Sequence, residues 1–458
     1  MTVETNLPPE RQAWRSMFAL SLGFFVVLLD QSMVAIALPE IQADLDATVN
    51  EILWVSAAFL LGVVVPLIFT GRLGDVLGQR VLFCTGVALF GIGAIACALA
   101  SSMEVLIVAR MVQGLGASLE MPQMMSVINR VFPRERRGRA LGVWGIIGSV
   151  ASLAGPLLGG FLVDYFGWQA TFWLHTPFVS AALVLAMLWV PKLPTTVQDI
   201  DKLSAVVSLI ALGSIVFGIQ QGPELDWDWR VLVVLGIGII SSIAFLRLQA
   251  SAQSRGTTPL FPVELFRNRN YAAGSIGILT MGFMAASVML PVMLWLQSVK
   301  GLSAGEAGII VAPMALVSML MSPIAGILTD AVNPRLIGLV GFSLMIASLL
   351  LAWWVMHADA APWWLALPIA VLGIGQSFIW GSNAATTLRD ISPGHMGAAA
   401  GAYDTSRQVG SVVGVALVSA VMQTGNPTTA IINSILVIVL ALVVGLISAL
   451  HYVDTLHG

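Results

Sequence analysis

The chain has 458 residues, of which 58% are hydrophobic and only 10% carry a charge. Soluble domains are about 45–50% apolar and about 25% charged, so this composition excludes a protein made of soluble domains. The formal net charge of −3 also excludes the strongly basic surface that is typical of nucleic-acid binders. We therefore expect a function within a lipid bilayer and no nucleic-acid partner.

Fourteen apolar runs of the sequence are long enough to cross a bilayer, which takes about 20 residues of helix for roughly 30 Å of hydrocarbon. In chain order they lie near 17–37, 52–70, 81–100, 104–126, 139–162, 169–190, 204–220, 230–247, 272–297, 305–328, 335–356, 363–386, 398–422 and 429–450. The longest polar stretches, 191–203 and 249–270, lie near the middle of the chain. The sequence thus predicts an all-α membrane protein with fourteen transmembrane helices.

The distribution of Lys and Arg predicts the orientation of these spans, because positively charged loops stay cytoplasmic. With the N-terminus inside, 17 of the 21 basic residues fall in inner loops, and only Arg230 and Lys300 fall outside. Arg110 and Arg407 fall within spans. An odd number of spans would break this alternation. We therefore expect a multi-pass protein of the cytoplasmic membrane with both termini in the cytoplasm.

Two pairs of segments share a pattern that indicates an internal repeat. The loops 71–80 and 326–335 have Gly, Leu, Asp and Arg at the same four places, 255 positions apart. A second match, 259 positions apart, pairs Gly138, Ala140, Gly142 and Gly155 with Gly397, Ala399, Gly401 and Gly414. Both matches fall on one predicted side of the membrane, as two parallel halves of an alternating-access transporter require. We expect a six-span bundle over 1–190, two extra spans with linkers over 191–270, and a second six-span bundle over 271–458.

Four motifs of the chain resemble signatures of the major facilitator superfamily. The loop after span 2 has the superfamily's loop pattern at Gly71, Leu73, Asp75, Gly78 and Arg80. Span 1 contains Leu29-Asp30-x-Ser32 and Ala37-Leu38-Pro39, similar to the signature of its fourteen-span group. Span 4 contains Arg110-x-x-Gln113-Gly114, similar to the proton-coupling signature. Span 5 contains Gly155-Pro156 and Gly159-Gly160, similar to the antiporter signature.

The chain therefore resembles the fourteen-span drug:proton antiporters of this superfamily, which include quaternary-ammonium and multidrug exporters. The resemblance implies the major facilitator fold, with two pseudo-symmetric six-helix bundles and two extra central spans. Three residues depart from the family pattern. Glu120 stands where an apolar residue is usual, His175 where Asn is common, and Asp404 where Asn is usual. Each of these departures is a candidate for altered specificity.

Ionisable side chains inside a span cost at least about 2.5–3.5 kcal/mol each and usually face a partner or an aqueous cavity. Asp30 lies about 20 Å along the first helix, so a proton and a cationic ligand could compete for its carboxylate. The alternative is a carboxylate that only hydrogen-bonds a neighbouring helix. Arg110 keeps its proton under physiological conditions. It would therefore bias the protonation of a nearby acid, or hold helices together through Gln113 and backbone carbonyls.

Two further charged positions leave alternatives open. Glu120 lies about 15 Å along the helix from Arg110, too far for a direct pair. Pro122 removes a backbone hydrogen bond beside it, so Glu120 is either a substrate or proton site or a residue that reaches the cytoplasmic interface. Asp404 and Arg407 lie three residues apart on one helix, so they either serve coupling or simply pair with each other.

The repeated loops are candidates for a cytoplasmic gate. The pairs Asp75/Arg80 and Asp330/Arg335 would favour the outward-facing state if they formed only when the inner side is closed. The alternative is that these positive loops only set the topology. In span 5, small residues give a smooth, bendable helix surface for close packing, and they are Gly155, Pro156, Gly159 and Gly160.

The sequence has no pattern that is typical of an ATPase, an enzyme or a metal site. It lacks a G-x-x-x-x-G-K-[ST] phosphate loop, and its five histidines are scattered. We expect no cofactor and no metal. The resemblance and the buried charges favour a monomeric, proton-coupled exporter of hydrophobic compounds, including cationic ones, whose partners are protons, the substrate and the bilayer. The alternative is the same fold moving a specific metabolite, lipid or natural product.

Overall fold

The computed structural model describes residues 9–132, 134–195, 201–252, 255, 257, 259, 263–391 and 396–453. Inside the helices it describes the backbone alone at 68, 69, 71, 72, 75, 125, 129, 134–146, 149, 152, 330, 331, 396–398 and 400. The described chain is helical, and no strand occurs in it. The helices are α1 (Glu10–Asp44), α2 (Val49–Leu77), α3 (Gln79–Ala98), α4 (Met103–Val131), α5 (Arg134–Phe166), α6 (Gln169–Trp173), α7 (His175–Trp189), α8 (Lys202–Gln221), α9 (Trp229–Ala250), α10 (Arg269–Ser287), α11 (Met289–Leu294), α12 (Ala304–Ala331), α13 (Pro334–His357), α14 (Ala366–Leu388), α15 (Met396–Met422) and α16 (Pro427–Ala449).

Twelve segments of the described chain are long and apolar enough to cross a membrane. They are α1, α2, α3, α6 with α7, α8, α9, α10 with α11, and α12 to α16. The predicted count of fourteen is therefore not supported by length and apolar composition. The two helices that fall short are α4, which contains Glu104, Arg110, Glu120 and Arg130, and α5, whose side chains are described only in part. The charges of α4 lower its mean hydropathy although it is 29 residues long.

Two helices of the fold start with the same capping arrangement, 255 positions apart. Thr48 accepts a hydrogen bond from the backbone of Glu51 at the start of α2, and the Glu51 side chain accepts one from the backbone of Thr48. Ser303 and Glu306 do the same at the start of α12. This reciprocal pair satisfies two backbone donors that a helix start leaves free. The offset equals that of the repeated loops at the other ends of these helices.

The helix pairs that pack in the first part of the chain recur in the last part. In the first part α4 lies against α2 and α3, and α1 lies against α5 and α7. In the last part α14 lies against α12 and α13, and α10 lies against α15 and α16. Between the two parts, α5 contacts α12 and α2 contacts α15. The two middle helices stack at the side, with α8 against α2 and α15, and α9 against α8.

Glycines set the same close approaches in both parts. A Cβ on Gly114 of α4 would lie 2.1 Å from the backbone oxygen of Phe59 in α2. A Cβ on Gly373 of α14 would lie 2.3 Å from the backbone oxygen of Met314 in α12. A larger side chain at either glycine would push the helix pair apart. We call the end of the bundle where α1 ends the Asp44 end, and the opposite end, where α2 meets α3, the Arg80 end.

Candidate functional site

A buried ion pair between α1 and α4 forms the centre of the candidate site. Arg110 Nη1 lies 2.9 Å from Asp30 Oδ1 and 2.7 Å from Asp30 Oδ2, and both side chains are almost fully excluded from solvent. Gln113 donates from Nε2 to Asp30 Oδ1 over 2.9 Å and accepts from Arg110 Nη1 over 2.7 Å. These three side chains, which we call the Asp30 cluster, form a closed triangle in which Asp30 accepts three hydrogen bonds.

The guanidinium of the cluster is held from α2 as well. Arg110 Nε donates to the backbone carbonyl of Val55 over 3.1 Å, and its central carbon lies 4.3 Å from the centre of the Phe59 ring. A cation over an aromatic face is attracted by the ring, most strongly when both are desolvated. Arg110 therefore lies beside an acid and also ties α4 to α1 and α2, so the geometry leaves open both roles considered from the sequence.

Close helix contacts bury the Asp30 cluster. Gly114, next to Gln113, allows α4 to touch the α2 backbone at Phe59. On the other side, a Cβ on Gly93 of α3 would lie 2.6 Å from the backbone nitrogen of Gln113. Because both neighbours approach so closely, water is kept from the triangle, where electrostatic interactions are strengthened by the low dielectric.

His175 lies against the Asp30 cluster, at the start of α7. Its Nε2 is 3.8 Å from Asp30 Oδ1, and its ring stands edge-on to Phe90 with the ring centres 5.8 Å apart. The helical run breaks just before His175, between α6 and α7. The cause is Pro177, which has no N–H for the bond to the carbonyl of residue 173. The sequence singled out His175 only as a departure from the family pattern.

Glu120 lies apart from the Asp30 cluster, about 15 Å along α4 from Arg110 and about 10 Å from Gln113. It is 2% exposed. A Cβ on Gly23 of α1 would lie 3.2 Å from Glu120 Oε2 and 2.9 Å from Cζ of Phe83 in α3. Its Oε1 has no hydrogen-bond partner in the part of the chain that the structure describes. Glu120 is thus buried between α1, α3 and α4, and its side chain does not reach the surface of this structure.

Asp404 and Arg407 pair with each other on α15, as one of the two interpretations expected. Arg407 Nε donates to Asp404 Oδ1 over 2.9 Å, and Nη2 lies 2.8 Å from the same oxygen. Their side chains are 47% and 22% exposed, respectively, so solvent screens this pair far more than the Asp30 cluster. The structure brings neither residue into contact with Asp30.

The loop between α2 and α3 is held by the C-terminal end of α7. Arg80 donates from Nη1 to the carbonyl of Val190 over 3.2 Å and from Nη2 to the carbonyl of Met187. The end of a helix leaves carbonyls free and favours a positive charge. At the turn itself, Gly78 has φ +97°, a conformation that glycine adopts at no steric cost.

The ion pairs predicted for the two repeated loops fall in part outside the described residues. These residues are Gly71, Asp75 and Asp330, whose side-chain positions are not described. Arg335 is exposed at the start of α13, where its backbone N–H donates to the side chain of Asn333. The contacts of Arg80 with α7 are therefore the interactions of the loop motif that can be assigned.

One face of α5 packs on α1 through its glycines. A Cβ on Gly155 would lie 1.8 Å from the hydroxyl oxygen of Ser32, and a Cβ on Gly159 would lie 3.3 Å from Cα of Met33. Both neighbours follow Asp30 closely in α1. The two glycines thereby place α5 directly beside the helix that carries the Asp30 cluster.

A neighbouring face of α5 packs on α12, across the two parts of the chain. A Cβ on Gly160 would lie 2.7 Å from the backbone oxygen of Ala304. A Cβ on Gly308 of α12 would lie 2.5 Å from the backbone oxygen of Pro156. The Gly-Pro and Gly-Gly pairs of span 5 therefore serve two neighbours at once, with Gly155 and Gly159 facing α1 and Pro156 and Gly160 facing α12.

Polar contacts at the Asp44 end, which the sequence analysis missed, join the same two parts of the chain. Asp164 Oδ2 accepts a hydrogen bond from the backbone N–H of Gly305 over 2.9 Å, at the start of α12. Gln297 Nε2 donates to the backbone carbonyl of Ile36 over 3.0 Å. Acidic side chains are favoured at helix starts, but the sequence does not show which helix start a residue 141 positions away will meet.

The residues that the structure describes form no group of three or more His, Cys, Asp or Glu side chains that could hold a metal ion. The cysteines Cys84 and Cys97 are both free.

Comparison with known proteins identifies a large group of transporters. The family model of the Major Facilitator Superfamily matches residues 20–415. An uncharacterized MFS-type transporter of Mycobacterium tuberculosis is 37% identical over 417 residues, which are 90% of this chain and 71% of that protein. The tetracenomycin C resistance and export protein of Streptomyces glaucescens is 31% identical over 414 residues, which are 89% of this chain and 76% of that protein.

Two further similarities widen this group. The riboflavin transporter RibZ of Clostridioides difficile is 29% identical over 411 residues, which are 89% of this chain and 88% of that protein. The crystal structure of an auto-inhibited peptide transporter of the POT family superposes with a TM-score of 0.71, over 98% of this chain and 99% of that one. Its sequence identity of 16% makes this a likeness of fold alone.

Proposed function

The chain belongs to the Major Facilitator Superfamily, and we propose that it is a proton-coupled exporter of hydrophobic compounds, including cationic ones, that works by alternating access. It is a membrane transporter rather than an enzyme. Relatives named for antibiotic resistance and export favour outward movement of a toxic compound. The structure adds a buried, charged cluster within the first six helices to this family assignment.

The Asp30 cluster is the observation that carries the proposal. Taking two charges out of water costs several kcal/mol per ion even after relaxation, and apolar side chains would pack at least as well. Arg110 cannot lose its proton, so it acts by setting the charge balance around Asp30. Glu120, buried with an unpartnered oxygen, is a second candidate proton site. The more exposed Asp404/Arg407 pair is a candidate for substrate contact.

The contacts between the two parts of the chain support alternating access. At the Asp44 end, α5 packs on α12 through glycines, and Asp164 binds the start of α12. We propose that this end opens to the outside when these contacts part. The Arg80 end would then carry the cytoplasmic gate, formed by the two repeated loops with Gly71, Asp75, Gly78, Arg80, Asp330 and Arg335.

We also propose the topology that the loop charges predict. The helices α4 and α5, 29 and 33 residues long, would be the remaining spans of a fourteen-span monomer. The repeated packing pattern supports two six-span bundles, 1–190 and 271–458, with α8 and α9 in the segment 191–270 as an addition. Both termini would lie in the cytoplasm, and the protein in the cytoplasmic membrane.

A second candidate function is transport of one specific metabolite. The similarity to a riboflavin transporter, at 29% identity, favours it. Such a protein would use the same fold and the same coupling cluster but would ignore general lipophilic cations. The choice between the two functions therefore depends on the substrate and not on the Asp30 cluster.

Efflux of ethidium from energised whole cells tests the proposed function. We expect a protonophore to abolish this efflux. The efflux rate should also fall at least about tenfold in Asp30→Asn, because asparagine lacks the negative charge that pairs with Arg110. Asp226→Asn is the matched control, since Asp226 is exposed in the turn between α8 and α9. Export that is unaffected by the protonophore would refute proton coupling. Absence of ethidium export by a well-expressed parent, with protonophore-sensitive riboflavin transport, would establish the second candidate.

A further inference from the structure

His175 is the member of this site whose ring nitrogens have no close side-chain partner. It is fully buried, and besides the backbone of Phe172 no described polar group lies within hydrogen-bond distance of Nδ1 or Nε2. A buried polar group without a partner usually costs about 1–3 kcal/mol. Its Nε2 nevertheless points toward a carboxylate, 3.8 Å from Asp30 Oδ1. An imidazole in this position is one short movement away from a charge-assisted hydrogen bond.

The groups that face His175 come from every helix packed against α7. From α1 comes Asp30, and from α4, one layer further, comes Arg110. From α3 comes the Phe90 ring. From α6 comes Phe172, edge-on with its centre 6.3 Å from that of the imidazole. Asp30 is the acidic group among these neighbours, and the others are a cation and two aromatic rings.

We propose that His175 is the proton acceptor of the Asp30 cluster, so that the transported proton resides on its imidazole while Arg110 remains bound to Asp30. This inference rests on the proposed proton coupling and names the atom that carries the proton. The lone pair of the unprotonated ring nitrogen forms the new N–H bond, and a hydronium ion gives up the proton and leaves as water. The reverse step releases the proton to water on the other side.

Charge balance favours the imidazole over the carboxylate. A proton on Asp30 would leave the buried Arg110 guanidinium without its counter-ion, which is a costly arrangement. A proton on His175 places the one carboxylate between two cations, and the existing ion pair stays intact. A carboxylate has about four acceptor positions, and Asp30 uses three of them for Arg110 and Gln113. Two of these bonds end on Oδ1, the oxygen that His175 faces, so the free position is on Oδ2, and an imidazolium N–H would bind it at a typical distance of about 2.8 Å after a turn of the carboxylate.

Proton binding by this route also supplies a movement. Closing the gap from 3.8 Å to about 2.8 Å draws the start of α7 toward α1. The break before His175 allows such a shift, because Pro177 has already interrupted the backbone hydrogen bonds there. Protonation would therefore change how α7 packs within the first bundle, as a coupling step requires.

Nuclear magnetic resonance of a single histidine tests the assignment without any transported substrate. The four other histidines, His357, His395, His451 and His457, are replaced by Gln. The ring signals of ¹³C/¹⁵N-labelled His175 are then followed from about pH 5 to 9 in lipid nanodiscs. We expect a reversible titration in the parent. In Asp30→Asn its midpoint should fall by at least one pH unit, because the neighbouring negative charge is gone.

Two results would overturn the proposal. One is a His175 signal in the parent that does not change over this pH range. The other is a midpoint that is the same in parent and Asp30→Asn. If Asp30→Asn does not fold, Arg110→Gln gives the converse test, in which loss of the neighbouring cation raises the midpoint. A titrating His175 in a protein that exports neither ethidium nor riboflavin would refute the proposed function and leave the proton site standing.

The pH profile of efflux gives a second readout. The variant His175→Asn carries the residue that is common in the family at this position. If His175 holds the transported proton, protonophore-sensitive ethidium efflux should fall at least about tenfold in this variant at every pH. His357→Asn is the matched control, because His357 is exposed at the end of α13 and stacks on Trp353. A His175→Asn variant with the parent's rate and pH profile would show that His175 only fills space.

Discussion

The first and last parts of the molecule share their packing and differ in their buried charge. Gly155 lies against Ser32 in α1 as Gly414 lies against Phe283 in α10, and Gly114 lies against α2 as Gly373 lies against α12. These contacts fix which positions correspond. Met281 then occupies the position in α10 that is equivalent to Asp30 in α1. In α14, Ile369 and Leu372 occupy the positions equivalent to Arg110 and Gln113 in α4. All three are fully buried.

The difference teaches that this helix packing does not need the charges. Met, Ile and Leu occupy the corresponding space without the cost of removing ions from water. The first bundle therefore carries a cluster that is expensive to bury and that its partner bundle does without. We attribute this asymmetry to the proposed function, in which the buried charges of the first bundle serve coupling and the other bundle provides an apolar counterpart.

Replacing the cluster by its counterpart should have the largest effect. In Asp30→Met/Arg110→Ile/Gln113→Leu we expect ethidium efflux to fall to background. Its unfolding free energy should stay within about 1 kcal/mol of the parent or rise, because no charge is left unpaired. The single variant Arg110→Ile should lose about 3–5 kcal/mol of unfolding free energy, since it leaves a buried carboxylate without its counter-ion. For both variants the unfolding free energy is measured in mixed detergent micelles, and ethidium efflux is measured in cells.

The control for this exchange is Ile369→Leu, a volume-conserving change at the corresponding position, which should cost less than about 1.5 kcal/mol and leave efflux intact. The comparison of the two bundles fails if the triple variant unfolds as readily as Arg110→Ile. In that case the charges hold the helices together, and the functional explanation of the asymmetry is wrong.

A pair of matched glycine variants should have a smaller effect that separates packing from function. Gly114→Ala and Gly373→Ala both force a Cβ into a backbone oxygen, of Phe59 and Met314 respectively. Each should cost about 1–3 kcal/mol, as overpacking usually does. Only Gly114→Ala shifts α4 beside Arg110, so we expect it to reduce ethidium efflux several-fold while Gly373→Ala retains most of it. Equal loss of efflux in both would indicate that the two bundles contribute alike.

Sequence reasoning reached most of the fold because membrane helices leave a strong signal. Long apolar runs predict helices, and the 255-residue offset of the loops recurs in the capping boxes at Thr48 and Ser303. The charged helix α4 is instructive, since its charged residues, which include the candidate site residues Arg110 and Glu120, lower the apolar signal that identifies a span. The sequence predicted it as a span from the apolar run 104–126, within which the charged motif lies.

The candidate site was only partly accessible from sequence. Asp30, Arg110 and Gln113 were each singled out, but their closed triangle depends on how α1 meets α4, which no local pattern encodes. The contact of His175 with Asp30 joins residues 145 positions apart, and Asp164 meets Gly305 across the two bundles. The burial of Glu120 was missed because Pro122 suggested an opening, whereas Gly23 and Gly86 let α1 and α3 close over it.

We expect the smallest effect from variants of the two capping boxes, which compare single hydrogen bonds at equivalent helix starts in the two parts of the chain. Thr48→Ala and Ser303→Ala each remove a side-chain acceptor from a helix start and should cost about 1 kcal/mol of unfolding free energy. Ethidium efflux should change less than twofold in both, because neither residue touches the Asp30 cluster. Thr424→Ala, at an exposed turn, serves as the control that removes a hydroxyl without a cap. Ser303→Ala is then compared with Thr48→Ala. A clearly larger loss of unfolding free energy in Ser303→Ala would mean that the start of α12, which Asp164 also binds, stabilises the junction between the bundles as well as its own helix.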